Sequence, residues 1–402
     1  MLSARLTSPP ARGIRALAFL LAVGLLTAGC ASVEGDDIGS PIFNGTLPDG
    51  TPIEPPITTL PIPEIDAIRV PVDHFSIQNA VNAAQPGDLI LIDPGVYTEE
   101  VTVTTPDVVI RGRDRNTVFI DGLHNATTGL TILSDGVAVE NVTIRNFTRD
   151  AIQVGDVAAP VALNRFRALH VTTSNTGRDG ISITNATNVE IQNVWGSGHA
   201  GAGIAVSNCT ECNTLVETTL VEFSGRGMSV VDARNGVHIV RSTARNNRAG
   251  IVVEDGLGRT EGAVVAGSVI LSNGFSNTPL LDPTWDHAFG VGVHVGGTTN
   301  VSVLSNRIAT NTRVGVLLGR NTTGSSELPV DAIVDGNIVE DNREGAVVTE
   351  ADWVGTANST IPYQNGPLPP GIEGLPDADA SVGVPAGPVV IPDLTAVVVP
   401  DA

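Results

Sequence analysis

A short phrase recurs along the chain between residues 129 and 348: a small residue, an aliphatic residue, any residue, another aliphatic residue and then a polar turn. The intervals between successive copies are 22, 29, 23, 24, 23, 42, 23 and 30 residues, so a basal period is interrupted three times by insertions. A period of this length is typical of a solenoid. The copies begin at Gly129, Ala151, Gly180, Gly203, Gly227, Gly250, Gly292, Gly315 and Gly345.

A second alternation of apolar and polar residues lies between successive copies, at residues 141–144, 188–191, 236–239 and 300–303 for example. Alternation with a period of two indicates β-strands. Strands joined by turns too short for a crossover helix can bury their apolar faces only by coiling and stacking on the next copy. The sequence therefore predicts an all-β fold, a parallel β-helix. Leucine-rich repeats share the period, but they need Leu at fixed offsets and a helical segment in each repeat.

Residues 67–355 resemble the right-handed parallel β-helix superfamily, which has the pectate-lyase-like fold. The segment before the repeats agrees, because an amphipathic stretch from Phe75 to Ala84 precedes the apolar runs at 87–93 and 99–103. The resemblance implies a single-stranded right-handed solenoid at 106–355 with a short N-terminal capping helix in a cap at 67–105. A cap is expected on physical grounds, because an open first coil would expose apolar side chains and unpaired strand edges.

The N-terminus has the pattern of an export signal. Arg5, Arg12 and Arg15 precede an apolar run at 16–26, which is followed by small residues and Cys30. The ending at Cys30 resembles a bacterial lipobox, which implies cleavage of the signal peptide (1–30) before Cys30 and lipidation of that cysteine. The alternative is an ordinary secreted protein with an incidental cysteine. We expect a soluble domain outside the cytoplasm, anchored to the cell envelope through the lipid.

The composition indicates the character of the segments outside the repeats and the kinds of partner that the chain can bind. Segments 31–66 and 356–402 read as a flexible Gly/Pro-rich tether and a Pro-rich tail. All 22 basic residues are Arg, and without the first thirty residues 19 Arg face 43 acidic residues, a net charge of −24. We therefore expect no nucleic-acid partner. The expected partners are a polysaccharide and, through the N-terminal lipid, the membrane, and we expect a monomer.

Cys209 and Cys212 form a close pair in a predicted turn. In an exported protein such a pair favours a disulfide. A zinc site would need two further ligands at suitable spacing, and the sequence offers no second Cys pair or His pair nearby. We therefore predict a small disulfide loop.

Equivalent positions on successive coils lie about 4.8 Å apart and form columns. One column follows the recurring phrase and contains Asp135, Asp156, Asn185, Asn208, Asp232 and Asp255. Carboxylate and amide oxygens of this kind can bind Ca²⁺, with Asp232 and Asp255 as candidate ligands. The alternative is that Asp and Asn are present because turns favour them.

Two further columns can carry function. The first precedes the phrase and contains Arg149, Arg178, Arg248, Arg313 and Arg343. It predicts an anion site for uronate or sulfate groups, with Arg178 and Arg248 binding substrate. The resemblance adds Arg313 as a catalytic base; the alternative is a surface ladder of Arg and acidic residues. The second, with His170, Glu190 and His238, is expected to face outward and bind substrate through an acid and a base, or to be ordinary exposed polar surface.

The longest insertion, at 273–289, contains Trp285, Asp286 and His287 and leads into His294 on the next coil. A Trp can stack on a sugar face, and Asp and His can transfer a proton. We therefore expect Trp285 to bind substrate, and Asp286, His287 and His294 to act with Arg313 in catalysis. The alternative is that the loop only covers the coils.

Motifs of particular β-helix enzymes do not extend the resemblance to a reaction. The segment from Gly198 to Gly201 is a faint echo of the Gly-His-Gly motif of polygalacturonases, but the Asp pair and the Lys of that family are missing. The fold transfers, whereas the chemistry does not. Two classes remain: a cell-envelope lipoprotein that binds or processes a polysaccharide, acidic if the Arg column is exposed, and a non-catalytic structural or adhesive solenoid. If the chain is an enzyme, a polysaccharide lyase or a glycoside hydrolase is expected.

Overall fold

The computed structural model describes residues 66–159, 161–274, 288–321 and 328–349. In these ranges the chain is a right-handed parallel β-helix whose coils each pass through three sheets, which we number in the order the chain visits them. Every pair of neighbouring strands is parallel. The single helix among the described residues is α1 (Ile77–Ala83).

Sheet 3 is built from the recurring phrase. The first aliphatic residues of successive copies lie opposite one another, as Ile152, Ile181 and Ile204 do, and all three are buried inside the solenoid. The period therefore predicted the register as well as the fold. The ten strands are β4 (Val101–Val103), β7 (Leu130–Ile132), β10 (Ile152–Val154), β14 (Ile181–Thr184), β18 (Ala202–Cys209), β21 (Arg226–Ala233), β24 (Ala249–Glu254), β27 (Val293–Gly296), β30 (Val314–Gly319) and β33 (Gly345–Thr349).

Sheets 1 and 2 contain the remaining long ladders. Sheet 1 consists of β1 (Ile68–Val70), β2 (Leu89–Ile92), β5 (Val109–Gly112), β8 (Ala138–Glu140), β12 (Arg167–Leu169), β16 (Val189–Gln192), β19 (Thr214–Glu217), β22 (Val237–Val240), β25 (Val264–Ala266), β28 (Ser302–Leu304) and β31 (Ile333–Asp335). Sheet 2 consists of β3 (Gly95–Tyr97), β6 (Val118–Asp121), β9 (Thr143–Arg145), β13 (Thr172–Ser174), β17 (Trp195–Ser197), β20 (Leu220–Glu222), β23 (Thr243–Arg245), β26 (Val269–Leu271), β29 (Arg307–Ala309) and β32 (Ile338–Glu340). A short pair, β11 (Leu163–Asn164) and β15 (Ala186–Thr187), lies beside them.

The second alternation of each repeat proves to be divided between two sheets. The stretches at 188–191, 236–239 and 300–303 belong to sheet 1, whereas the one at 141–144 is the corner from sheet 1 into sheet 2. At this corner Asn141 adopts a left-handed conformation (φ 52°) and Val142 points into the core. Because Val142 and Ile144 both point inward, the corner has the same apolar pattern as a strand. The sequence pattern therefore does not distinguish a corner from a strand.

The corner between sheets 2 and 3 carries a polar ladder inside the later coils. Its members are Asn247, Asn273, Asn311 and Asn342. The side-chain oxygen of Asn273 accepts a hydrogen bond from Asn247 N at 3.1 Å, and that of Asn311 accepts one from Asn273 N at 3.0 Å. Buried backbone donors need such partners. The ladder therefore fixes the stacking of one coil on the next where the chain leaves the strands.

The predicted N-terminal helix is confirmed. Ser76 caps α1, with Oγ accepting from Asn79 N at 3.1 Å, and the Glu99 carboxylate accepts from the first two backbone N–H groups at 2.9 Å each. The helix buries Ile77, Ala80 and Val81. Phe75, expected in the helix, lies before it and is 91% exposed.

Cys209 and Cys212 are joined by a disulfide at the end of β18, with their Cα atoms 5.2 Å apart. None of the helices in the described ranges is long and apolar enough to cross a membrane. Cys30, the tether and the tail lie outside the described residues, so the signal peptide, the lipid anchor and the domain limits stay predictions.

Candidate functional site

The insertion that leads to His294 lies only partly within the described residues. Trp285, Asp286 and His287 lie outside the described residues, and their proposed roles stay predictions. His294 lies on the outer face of β27, opposite Val252 and Leu317 on the neighbouring strands. All three side chains are buried, and His294 Nε2 lies 3.1 Å from the carbonyl oxygen of Arg320. The geometry does not favour the expected catalytic role of His294, because the outer face of sheet 3 is covered at this coil and the side chain is fully buried.

His170, Glu190 and His238 do not share one column. Glu190 and His238 occupy the same outward column of sheet 1, but Leu215 separates them, and two coil spacings amount to about 10 Å. His170 lies at a corner with φ 53°, and its Nε2 lies 3.4 Å from Asn193 Nδ2. Burial lowers the pKa of His238 to about 4 and raises the pKa of Glu190, an effect that Arg167 opposes. These residues therefore do not form an acid–base pair.

The Arg column is interrupted. Gly201, Gly225 and Gly290 occupy its intervening coils, as the backbone hydrogen bonds of this turn show. Arg313 lies 3.4 Å from a carboxylate oxygen of Glu344, and the guanidinium of Arg248 stacks over the Phe289 ring at 5.1 Å. A continuous anion-binding stripe is therefore not formed, and the ladder of Arg and acidic residues describes this part of the surface better.

The carboxylates of Asp232 and Asp255 accept backbone hydrogen bonds in turns. Asp232 has φ 54°, and its carboxylate accepts hydrogen bonds from the backbone N–H groups of Gly256, Leu257 and Gly258 at 2.5–3.0 Å. Asp255 Oδ1 accepts from Thr260 N at 2.6 Å. In the part of the chain that the structure describes, no group of three or more His, Cys, Asp or Glu side chains is placed to hold a metal ion. The geometry favours the turn alternative over Ca²⁺ ligation at these two residues.

The strongest constellation lies where the chain enters β10 and β14 of sheet 3, and we call it the Asp179 cluster: Asp150, Arg178, Asp179 and Ser182. Arg178 donates to both oxygens of Asp150, from Nε at 2.8 Å and from Nη2 at 2.5 Å. Its Nη2 also donates to Ser182 Oγ at 3.3 Å, and its Nε lies 3.4 Å from Asp179 Oδ2. A bidentate pair of this kind fixes the guanidinium in one orientation. Arg178 thus spans two carboxylates from successive coils.

Asp179 is the member with altered acidity. Burial, and then the negative charge of Asp150, raise its pKa to about 6, although Ala202 N donates to Oδ1 at 2.8 Å and Arg178 lies beside it. The Asp150 side chain is fully buried, whereas a third of the Arg178 side chain and a tenth of the Asp179 side chain remain exposed. A carboxyl with a pKa near neutrality can both hold and release a proton, which is the property of a general acid or base.

The sequence contains a signal for this cluster. Asp150 and Asp179 directly follow Arg149 and Arg178, but the sequence alone predicts them only as acidic residues of the surface ladder. Their mutual approach depends on a register across 28 residues, which the Arg178–Asp150 hydrogen bonds establish.

A second charged pair continues the outer face of sheet 3. Arg226 Nη1 donates to Glu254 Oε1 at 2.8 Å and to Ser229 Oγ at 3.1 Å. The side chains of Arg226 and Glu254 are only 2% and 0% exposed. Because neither side chain reaches solvent, we assign this pair a structural role and do not include it in the candidate site.

His199, in the segment that echoes a polygalacturonase motif, points into the solenoid. Its ring nitrogens lie 3.1 Å and 2.6 Å from the hydroxyls of Thr173 and Thr176. Burial lowers the pKa of His199 to about 3, so the ring is neutral at neutral pH. His199 is a core residue of the solenoid. The sequence similarity to the polygalacturonase motif therefore does not place a histidine on the surface.

Comparison with known proteins agrees with the fold. The family model described as "right handed beta helix region" matches residues 115–270. Similar solved structures include pectate lyase Pel9A (14% identity, 75% of this chain and 78% of that chain, TM-score 0.43). A second is the catalytic domain of a GH87 alpha-1,3-glucanase (12% identity, 77% of this chain and 70% of that chain, TM-score 0.45). A third is the A-module of the mannuronan C-5 epimerase AlgE4 of Azotobacter vinelandii (15% identity, 70% of this chain and 93% of that chain, TM-score 0.43). No curated protein matches the sequence. Similarity at this level says nothing about substrate or catalytic residues.

Proposed function

We propose that the chain is an exported, lipid-anchored protein of the bacterial cell envelope that binds and processes a polysaccharide on the outer face of sheet 3. The observation that carries the proposal is the Asp179 cluster: a carboxyl with a pKa of about 6, buried except for about a tenth of its side chain, held beside a fixed guanidinium that is one third exposed. The export signal and Cys30 support the location, and the solenoid supplies an extended face for a polymer.

The cluster has the chemistry for a reaction at a glycosidic bond. The Asp179 carboxyl can protonate a leaving oxygen or accept a proton from a hydroxyl, water or C–H group, a contribution of about 10² to 10⁴ in rate. Arg178, held by Asp150, can bind an anionic group or stabilise negative charge that develops next to Asp179. Asp150 is fully buried, so it positions Arg178 and does not meet the substrate.

An acidic sugar is the expected occupant next to Arg178. Arg149 and Arg178 are 48% and 33% exposed, and they lie on adjacent coils, since Arg178 N donates to Arg149 O at 2.9 Å. Asp150 and Asp179 balance the charge of the two Arg, but both carboxylates are mainly buried, so the exposed edges of this site are guanidinium N–H donors. A uronate carboxylate fits that site, and the charge of the whole chain would oppose binding elsewhere.

The test compares three mature proteins on a panel of uronate-containing and neutral polysaccharides: wild type, Asp179→Asn and, as matched control, Asp114→Asn at an exposed loop position. We expect wild-type activity to change with pH around 6, and we expect Asp179→Asn to lose about 10² to 10⁴ in rate together with that pH dependence. New unsaturated ends would mean a lyase, and reducing ends alone a hydrolase. Full activity in Asp179→Asn would refute this assignment, and a wild type that neither binds nor cleaves any member of the panel would favour the structural or adhesive alternative.

A further inference from the structure

A cavity lies at the opposite end of the strands that carry the Asp179 cluster. It has a volume of about 380 Å³ and is formed by the turns that leave β7, β10 and β14 on the way to sheet 1. A volume in this range is typical of small-molecule sites. Its wall includes the apolar side chains of Leu133, Val161 and Leu163, and its polar groups include Asp135, Asp156 and Asn185.

Hydrogen bonds and strand pairing of the described residues hold the wall of the cavity. Asn185 Nδ2 donates to the carbonyl oxygens of Asp156 and Ala159 at 3.3 and 3.0 Å, which holds the loop after β10 against the next coil. The pairing of β11 with β15 fixes the far end of the same loop. At the near end Gly155 has φ 74°, and a Cβ there would lie 2.1 Å from Thr184 O, so the loop approaches β14 as closely as a glycine allows. These contacts therefore hold the described part of the wall against β14 and β15.

The two carboxylates determine what the cavity accepts. Asp135 Oδ1 accepts from Asn164 N at 2.8 Å, and Asp156 Oδ1 accepts from Ala158 N at 2.9 Å. Within the described ranges, the second oxygen of each carboxylate accepts no hydrogen bond. Carboxylate oxygens are pure acceptors, so they suit a ligand that presents hydroxyl or N–H donors. A uronate would bring a like charge and would be repelled. The apolar wall suits the C–H face of a sugar ring.

The cavity and the Asp179 cluster belong to one surface. Ser182, which Arg178 contacts, and Asn185, which lines the cavity, are three residues apart, about 10 Å along an extended chain. One end of this surface presents guanidinium groups and the other presents carboxylates, so the two ends favour opposite substituents. We propose that the cavity is a subsite for a neutral sugar residue, and that the ligand is a heteropolysaccharide that contains both neutral and acidic residues. This inference rests on the proposed function and adds the composition of the substrate.

The test measures binding of three tetrasaccharides by isothermal titration calorimetry: a galacturonate homo-oligomer, an N-acetylglucosamine homo-oligomer and an oligomer that alternates glucuronate with N-acetylglucosamine. The variants are Val161→Trp, which fills the cavity, and Val157→Trp, a control on the same loop outside the lining. Both valines are largely exposed, at 76% and 64%, so neither change disturbs the core. We expect the alternating oligomer to bind wild type most tightly. Val161→Trp should weaken it about tenfold, equivalent to about 1.4 kcal/mol, and Val157→Trp should leave it unchanged.

Two outcomes overturn the inference and are distinguishable from each other. If the galacturonate oligomer binds as tightly as the alternating one and Val161→Trp changes neither, the subsite is wrong while the proposed function stands. If no oligomer binds wild type, the proposed function is refuted as well. An Arg178→Gln variant separates the two ends, because it should weaken the galacturonate oligomer and leave the N-acetylglucosamine oligomer unaffected.

Discussion

The polar ladder inside the corner between sheets 2 and 3 provides a stability prediction that can be worked out bond by bond. The substitution Asn273→Ala removes the acceptor of two hydrogen bonds, from Asn247 N at 3.1 Å and from Asn247 Nδ2 at 3.3 Å, and two donor bonds, to Ala244 O at 3.1 Å and to Asn311 Oδ1 at 2.9 Å. Asn273 and Asn247 are both fully buried, so water does not replace these partners. A buried donor without a partner costs about 1–3 kcal/mol, and each lost bond costs about 0.5–1.5 kcal/mol. Because the effects overlap, we expect unfolding free energy to fall by about 2–4 kcal/mol.

Serine offers a graded variant, because the chain already uses it in this role at another corner. Ser268 Oγ accepts from Ser242 N at 3.1 Å and donates to the carbonyl of its own coil two residues back. Asn273→Ser keeps an acceptor for Asn247 N–H, so it should cost about half as much as Asn273→Ala. The control is Asn125→Ala, at an exposed position.

Urea unfolding followed by circular dichroism measures all three variants. The linear dependence on denaturant gives the free energy where the transition is two-state. A solenoid can lose coils locally, so amide hydrogen exchange of Asn247 and its neighbours supplies a second, local measure. The reasoning is refuted if Asn273→Ala is as harmless as Asn125→Ala, or if the serine variant is no better than alanine.

Two other predictions concern acid stability and the membrane anchor. Burial depresses the pKa of His199 to about 3, whereas the unfolded ring has its ordinary pKa of about 6.5. Between these values the unfolded chain binds a proton that the folded chain does not, so the free energy of unfolding should decrease as the pH falls below about 6.5, by about 3 kcal/mol at pH 4. His199→Gln should flatten this dependence in urea titrations, and an unchanged slope would contradict the assignment. The full-length protein, expressed with its signal peptide, should partition into the detergent phase of a Triton X-114 separation, and Cys30→Ser should move it to the aqueous phase, since stable anchoring needs acyl chains. Equal partitioning of both would exclude the lipid anchor.

The repeat unit was predictable because the core imposes it. An aliphatic residue that points inward on one coil lies directly over the equivalent residue of the next, so Ile152, Ile181 and Ile204 recur with the period of the fold. The corners were less predictable. Asn141 and Val142 turn the chain from sheet 1 to sheet 2 in two residues, and the inward position at the corner keeps the apolar pattern of a strand. Periodicity detects what points inward and does not detect where the chain bends.

The candidate site was less predictable for a related reason. Outward side chains carry no periodic constraint, and their neighbours are on other coils, so the partner of Arg178 is Asp150, 28 residues away. The repeat column identified Arg178 as a candidate, whereas Asp179 could be predicted only as one of the acidic residues of the surface ladder. Exposure was also hard to foresee: His294 alternates as an outward residue should, and yet it is fully buried. Insertions determine which outward side chains are covered. Because the insertions do not repeat, the sequence does not predict where they pack.

The insertions nevertheless favour the proposed processing function over the structural or adhesive alternative. The interval from Ala151 to Gly180 exceeds the basal period by about six residues, and this excess falls in the loop that follows β10. Val157 and Val161 in that loop are 64% and 76% exposed, so the loop adds little to the core. A structural solenoid gains nothing from such a coil, because stacking favours equal repeats. The same irregular coil carries Asp150 at one end of its sheet-3 strand and a wall of the cavity at the other. An extension that leaves the core unchanged but shapes a surface beside a proton-transfer group is what a binding and processing site requires.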